Sequence, residues 1–139
     1  MEAYLTQIKG ITFAAKGTSN HWVMLDGLEE FGGSAAASSP MEFILFGFAG
    51  CTGSDIASIL KKKRVKLEKF EMNVEAERAE EYPKVFTKIH LSFLFTGKDI
   101  KTNDVERAIE LSRTKYCSVW AMLKNTIEIT SSYEIRESE

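Results

Sequence analysis

The feature that most constrains this fold is a central segment that is apolar on nearly every side of a helix. Its start is well marked: Ser39 can cap, Pro40 suits the first helical position, and Glu42 completes a capping box. The helix is predicted to run from Pro40 to about Lys63, a length of about 36 Å. The basic residues 61–64 close it beside the negative end of the helix dipole.

The apolar side chains of this segment lie around most of its circumference: Phe43, Ile44, Leu45, Phe46, Phe48, Ile56, Ile59 and Leu60. A helix that is apolar on nearly all sides has to be enclosed on nearly all sides. A chain of 139 residues has difficulty enclosing it alone. The pattern therefore predicts a long, buried central helix and a homodimer in which a second subunit helps to cover it.

Alternating segments after this helix predict a sheet. Apolar and polar residues alternate over 70–77 and again over 85–95, with a turn at 81–84 between them. A period of two with one polar face is typical of an antiparallel hairpin. Residues Thr126 to Ile135 predict a closing strand.

The remaining segments complete an α+β fold. Residues 3–13 and 21–25 predict two or three short strands, and the small-residue segment 32–40 predicts a loop. A helix capped at Asn103 is predicted to extend to about Lys124. Because no repeat or linker divides the chain, we expect one domain, residues 1–139, with a mostly antiparallel sheet.

Composition narrows the function classes. A net charge of -2 and a pI near 5.8 exclude a global basic field for nucleic acid or an anionic membrane. The N-terminus lacks the pattern of a signal peptide, and the apolar run Phe43–Gly50 is too short to span a bilayer. We therefore expect a cytoplasmic protein whose two cysteines are thiols, with neither nucleic acid nor membrane as partner.

Cys51 is the first candidate for chemistry, and two interpretations remain open. A free cysteine in an apolar helix can be a small core residue whose burial suppresses the thiolate. Glycines at 47, 50 and 53, however, each cost a helix about 1 kcal/mol, which favours close approach by backbone or ligand. Asp55 lies one turn after Cys51 on the same helix face, so activation of the thiol would need a cation nearby.

Cys117 is the second thiol, in the segment KYCSVWAML. If a new helical segment begins near it, exposed N–H groups and the helix dipole favour its thiolate. If the preceding helix continues through it, Cys117 is an ordinary packing residue. The pattern leaves both alternatives open.

Three segments together resemble the OsmC/Ohr family, and in particular its YhfA-like branch: PMEFILFGFAGCTGSDIASIL, EEYPKVFTKIHLSFLFTG and ERAIELSRTKYCSVWAML. The resemblance covers roughly residues 3 to 136. It implies an intertwined homodimer with two long helices between sheets, and thiol-dependent reduction of organic hydroperoxides. By residue match, Cys51 would attack the peroxide and Cys117 would resolve the sulfenic acid. An external dithiol would restore both thiols, with no cofactor.

The chain departs from the family pattern around the reactive thiol. Family peroxidases place a Glu ten residues before that Cys and an Arg in the N-terminal strands. Here Met41 holds that position, Glu42 follows it, and no Arg precedes Arg64. The candidates for a thiol-polarising group are therefore Glu42, Lys16 and Arg78, with His21 a further cationic candidate.

Two function hypotheses follow. The first is a peroxidase acting through Cys51 and Cys117 on an organic hydroperoxide, a substrate class that the apolar helix favours over hydrogen peroxide. The alternative is a non-catalytic dimeric module that binds a small apolar ligand and keeps both cysteines as core residues. Neither His21 nor His90 has the spacing of metal ligands, so no metal site is predicted.

Overall fold

A computed structural model describes residues Met1–Glu139 as two three-stranded sheets, one long helix and two shorter helices. The mixed α+β fold class predicted from the sequence is confirmed. The chain divides into two compact units, Met1–Phe46 and Gly47–Glu139, and the boundary falls within the long helix.

The first unit contains an antiparallel sheet in the order β1-β2-β3: β1 Ala3–Lys9, β2 Thr12–Gly17 and β3 Trp22–Leu25. The predicted short strands are therefore present. A 3₁₀ turn at Glu29–Phe31 lies in the loop that leads to the long helix. Only three side chains of this unit are buried, those of Thr12, Ala14 and Asp26.

Asp26 fixes the loop that precedes the helix. Its carboxylate accepts hydrogen bonds from the backbone N–H groups of Gly27, Ser34 and Ala36, at 2.8, 3.0 and 3.0 Å, and from Thr12 Oγ1 at 2.9 Å. Burial by itself would raise the pKa of Asp26, but these four donors lower it to about 2. A short polar residue thus organises a segment that has almost no apolar core.

The long helix, α1, spans Pro40–Lys62, within one residue of the predicted end. Its start is the expected reciprocal capping box: the Ser39 N–H donates to Glu42 Oε2 at 2.7 Å, and the Glu42 N–H donates to Ser39 Oγ at 3.3 Å.

Within one chain, α1 is not enclosed on nearly all sides, and the cover by a second subunit that the sequence predicts stays a prediction. It buries a single stripe at intervals of four residues: Phe48, Thr52, Ile56 and Leu60. Gly53 approaches the Met72 sulfur so closely that a Cβ would lie 3.0 Å from it, whereas Gly47 and Gly50 face open space. Only one of the three glycines therefore has the close neighbour expected of it.

By length and composition, α1 would also suffice to cross a membrane. The most apolar stretch of this helix is only 22% buried. The apolar run Phe43–Gly50 therefore underestimates the length of the apolar helix, which extends over Pro40–Lys62. Core helices of globular proteins can have the same length and composition, so these features do not by themselves indicate a membrane protein.

The second unit contains β4 (Lys66–Arg78), β5 (Phe86–Lys98) and β6 (Glu128–Glu137), in that order across the sheet. β4 and β5 form the predicted antiparallel hairpin, in which Phe70 faces Phe95. β6 instead pairs with β5 in parallel, so the chain between them crosses over the sheet. The buried face of β5 supplies much of the core: Ile89, Leu91, Phe93 and Phe95.

The crossover contains α2 (Thr102–Leu111), a π-helical turn (Ser112–Tyr116) and α3 (Ser118–Leu123). Two sequence expectations need correction. α2 starts after Lys101, which makes no side-chain cap, rather than at a cap on Asn103. The helix also does not run unbroken to Lys124, because the backbone becomes extended at Cys117.

Candidate functional site

Two elements of the second unit bring the two cysteines together. Cys51 lies in α1, and Cys117 lies at the break between the π-helical turn and α3. The two sulfur atoms and a carboxylate oxygen of Asp55 all lie within 4.8 Å of one another. Both cysteines are free thiols. The thiols are thus near neighbours, although 66 positions separate them along the chain.

Cys117 is the more enclosed of the two thiols, with 3% of its surface exposed. As the N-cap of α3, its sulfur accepts a hydrogen bond from the Trp120 N–H at 3.3 Å, and Thr52 Oγ1 lies 3.3 Å from it. Burial raises the pKa of Cys117, the bonds to Thr52 and Trp120 partly oppose this, and the neighbouring Cys51 raises it further. A new helical segment does begin at this thiol, but the favoured thiolate expected to accompany it does not follow, because burial raises the pKa of Cys117 overall.

Cys51 is only half-buried, so of the pair it is the thiol with access to solvent. It lies one position before Thr52 of the buried stripe, and Asp55 follows it by one helical turn. Because residues four apart share a helix face, Asp55 and Cys51 point in the same direction.

The π-helical turn positions Asp55. Ser112, fully buried at the start of that turn, donates a hydrogen bond from Oγ to Asp55 Oδ2 at 2.9 Å. The wider turn delays the next helix, so that Cys117 and Ser112 both face α1. π-helical turns are frequent at functional sites. Nothing in the local sequence pattern marks Ser112, which sequence reasoning missed.

A cavity of about 290 Å³ opens beside Asp55. Its walls combine apolar and charged side chains from α1, α2 and the π-helical turn: Asp55, Ser58, Ile59, Lys62, Leu111 and Tyr116. A small organic molecule fits a cavity of this size. Lys62, which the sequence explained only as a helix-end cation, is therefore also a wall of this cavity.

Two of the candidate thiol-polarising residues have local partners in the first unit. The carboxylate of Glu42 is bound to the Ser39 N–H, and that bond lowers the pKa of Glu42. Lys16 Nζ donates to Asn20 at 3.1 Å and lies 4.9 Å from the centre of the Trp22 ring. Their polarising role stays a prediction.

The third candidate, Arg78, lies at the end of β4, where Nε donates to the Lys84 carbonyl at 2.8 Å. That contact accounts for an arginine in the apolar register of the strand, next to a register shift. His90 bonds through both ring nitrogens, to Thr130 at 2.7 Å and to Ser132 at 2.9 Å.

The arrangement has two chemical capacities. Two neighbouring thiols can be oxidised to a disulfide once their sulfurs close to bonding distance. Two thiolates and a carboxylate are also ligands that a thiophilic divalent cation accepts.

Comparison with known proteins places the chain in a family. A family model described as OsmC-like protein matches residues 32–132. Protein YhfA of Escherichia coli (strain K12) is 41% identical over 135 residues, which make up 97% of this chain and 98% of that protein. The resemblance read from the three sequence segments is confirmed.

Solved structures share the fold. A hypothetical protein of Aquifex aeolicus VF5 has a TM-score of 0.87 and 28% identity, and the match covers 99% of this chain and 97% of that one. An organic hydroperoxide resistance protein OsmC of Legionella pneumophila has a TM-score of 0.69 and 17% identity, covering 96% and 95% of the two chains. At that identity the second likeness is one of fold.

Proposed function

This chain belongs to the OsmC-like protein family, and on that basis we propose that it is a thiol peroxidase that reduces organic hydroperoxides through Cys51 and Cys117. The observation that carries the proposal is the approach of the two free sulfur atoms to within 4.8 Å. A family relative of the same fold is named for organic hydroperoxide resistance, which supports the substrate class.

The proposed cycle needs two thiols and one external reductant. The Cys51 thiolate attacks the terminal oxygen of the hydroperoxide, the O–O bond breaks, and the alkoxide takes up a proton and leaves as an alcohol. The sulfur of Cys51 becomes a sulfenic acid. Cys117 then attacks that sulfur, releasing water and forming a disulfide, and an external dithiol returns two electrons and two protons.

The difference in burial supports the proposed roles of the two thiols. Cys51 is half-buried and can meet a substrate, whereas Cys117 is enclosed and lies close to Cys51. Thr52 of α1 lies 3.3 Å from the Cys117 sulfur, and resolution requires the two sulfurs to close from within 4.8 Å to bonding distance.

The substrate is proposed to be a small apolar hydroperoxide rather than hydrogen peroxide. Three walls of the neighbouring cavity, Ile59, Leu111 and Tyr116, present apolar or aromatic surface. An alkyl or aryl group gains free energy by leaving water for such surface, and hydrogen peroxide has no such group.

We also propose that the working protein is a homodimer in the cytoplasm. The first unit buries only three side chains and exposes many large apolar ones: Tyr4, Leu5, Ile8, Ile11, Trp22, Val23, Met24, Leu28, Phe31, Ile44 and Phe46. A unit of 46 residues with so small a core needs further contacts that bury its exposed apolar side chains. The same apolar surface on a second copy of the chain can provide these contacts.

The test is steady-state consumption of cumene hydroperoxide with a dithiol as reductant. Cys51→Ser should abolish turnover, whereas Cys117→Ser should allow one turnover and then stop unless the dithiol reduces the sulfenic acid directly. Asp99→Asn, a change on an exposed loop residue, serves as the control and should leave the rate unchanged. Equal rates for wild type and Cys51→Ser would contradict the proposal.

One observation favours the alternative, a non-catalytic module that binds a small apolar ligand. No cation is among the groups that shift the pKa of Cys117, and burial, the largest of them, holds this thiol in its neutral form. If hydroperoxide leaves both thiols reduced while an apolar ligand still binds the cavity, the protein is a ligand-binding module and not a peroxidase.

A further inference from the structure

We propose that the reduced protein binds one thiophilic divalent cation, of the Zn²⁺ class, between Cys51, Asp55 and Cys117. The site uses the thiols of the proposed peroxidase but does not depend on that activity, because metal binding needs no oxidation. This proposal differs from the sequence analysis, which predicted no metal site. That expectation rested on ligand spacing within short motifs, and this set joins two segments 66 positions apart.

The donor set and its spacing suit such an ion. All three donor atoms lie within 4.8 Å of one another, so a cation placed between them needs only a small contraction to reach all three. Zn²⁺ bonds to thiolate sulfur at about 2.3 Å and to carboxylate oxygen at about 2.0–2.2 Å. Three protein ligands leave a fourth tetrahedral position for water, as in zinc sites that are open to solvent.

Cys51 and Asp55 make a natural pair of ligands. They lie one turn apart on the same face of α1, so the helix itself fixes the distance between them. Both are half-buried, which leaves a path by which a cation can enter.

The ligands are held by a surrounding set of hydrogen bonds. Ser112 donates to Asp55 Oδ2 at 2.9 Å, which orients the carboxylate. The Trp120 N–H donates to the Cys117 sulfur at 3.3 Å, as suits a sulfur that becomes a thiolate on binding. Outer contacts of this kind orient ligands and typically change metal affinity by about 10–100-fold.

Metal binding and thiol oxidation would exclude each other. Binding replaces the two thiol protons with the cation, which occupies both sulfurs and so blocks attack on a peroxide. Oxidation to a disulfide removes both sulfur ligands and would release the cation. The metal would thereby inhibit the thiol chemistry until it is chelated.

The test is titration of the reduced full-length protein with Co²⁺, followed by displacement with Zn²⁺. We expect sulfur-to-cobalt charge-transfer absorption, d–d bands of tetrahedral intensity, one cation per chain, and release of two protons per cation at neutral pH. Asp55→Asn should weaken binding at least tenfold, and Ser112→Ala about tenfold. Asp99→Asn, a matched exposed change, should have no effect.

Several outcomes would overturn the site. One cation per two chains would indicate bridging between copies, and weak octahedral d–d bands would indicate adventitious carboxylate binding. Equal affinity for Asp55→Asn and Asp99→Asn would show that Asp55 is not a ligand. If Asp55→Asn fails to fold, the stoichiometry, the proton release and the absorption spectrum of the unmodified chain still test the metal site.

Oxidation with diamide, which takes up the two thiol hydrogens, separates the metal-site proposal from the peroxidase proposal. If no disulfide forms while Co²⁺ still binds, the peroxidase fails and the metal site stands.

Discussion

At Cys117, hydrogen bonds oppose the effect of burial on the thiol. The thiol is almost completely enclosed, and burial favours its neutral form. Thr52, whose side chain is fully buried, presents its hydroxyl to the same sulfur at 3.3 Å. This threonine therefore belongs to both the core stripe of α1 and the environment of the Cys117 sulfur.

Thr52→Val should slow disulfide formation without disrupting the core, since valine has nearly the same shape. Loss of one hydrogen bond, worth about 0.5–1.5 kcal/mol, should slow formation about two- to tenfold at neutral pH. The pH profile should also shift upward, because the pKa of Cys117 rises further. The measurement is the rate of diamide oxidation over a pH series, with the exposed strand change Thr87→Val as control. Unchanged profiles for both variants would refute this role of Thr52.

Asp26 makes the first unit sensitive to acid. Its pKa is lowered from 3.8 to about 2 in the folded chain, so its contribution to stability is complete above the unfolded value and is lost as pH falls towards 2. Between about pH 4 and about pH 2, the amides of Ser34 and Ala36 should lose protection from hydrogen exchange. In Asp26→Asn this pH-dependent loss should disappear, with low protection at every pH. Full protection in the variant at neutral pH would contradict the assignment.

Among the helices and strands, local sequence patterns predicted those features that depend on interactions between residues close in sequence. The capping box and the basic run fixed both ends of α1 to within a residue, because caps and dipoles act within one turn. Alternation predicted the β4–β5 hairpin, since its pairing partners are close in sequence.

Elements joined by distant contacts could not be predicted in this way. The parallel pairing of β6 depends on a crossover, and a strand carries the same alternation whichever direction its partner runs. The extended backbone at Cys117 and the contact of Ser112 with Asp55 depend on the π-helical turn, which has no sequence signature. The nearness of the two thiols was anticipated only from the family resemblance.

Packing of α1 against α3 should contribute strongly to stability. Phe48, fully buried, meets Trp120 edge to face with ring centres 5.4 Å apart. Phe48→Ala should lower the free energy of unfolding by about 3–5 kcal/mol, through lost burial and a cavity. Urea denaturation measures this, with Tyr82→Ala, at 87% exposure, expected to change it by less than about 0.5 kcal/mol. A small effect at Phe48 would show that α3 does not pack firmly.

At the scale of the whole molecule, the exposed apolar residues of the first unit and of α1 predict association. Light scattering coupled to gel filtration should give twice the chain mass of 15.6 kDa. Phe46→Glu, which places a charge on a phenylalanine that is 51% exposed in one chain, should shift the protein towards monomer. Tyr82→Glu, on the hairpin turn, should remain dimeric. A monomeric wild type, or one recovered with lipid vesicles, would contradict the dimer.

In the proposed function, reaction with a hydroperoxide joins Cys51 and Cys117 in one disulfide. The most direct measurement adds one equivalent of cumene hydroperoxide to the reduced protein, quenches rapidly and maps the thiols by mass spectrometry. We expect a Cys51–Cys117 disulfide that forms much faster than free cysteine reacts, and a sulfenic acid on Cys51 in Cys117→Ser. Thiols that stay reduced for minutes, or a disulfide between two copies through Cys51 alone, would contradict it.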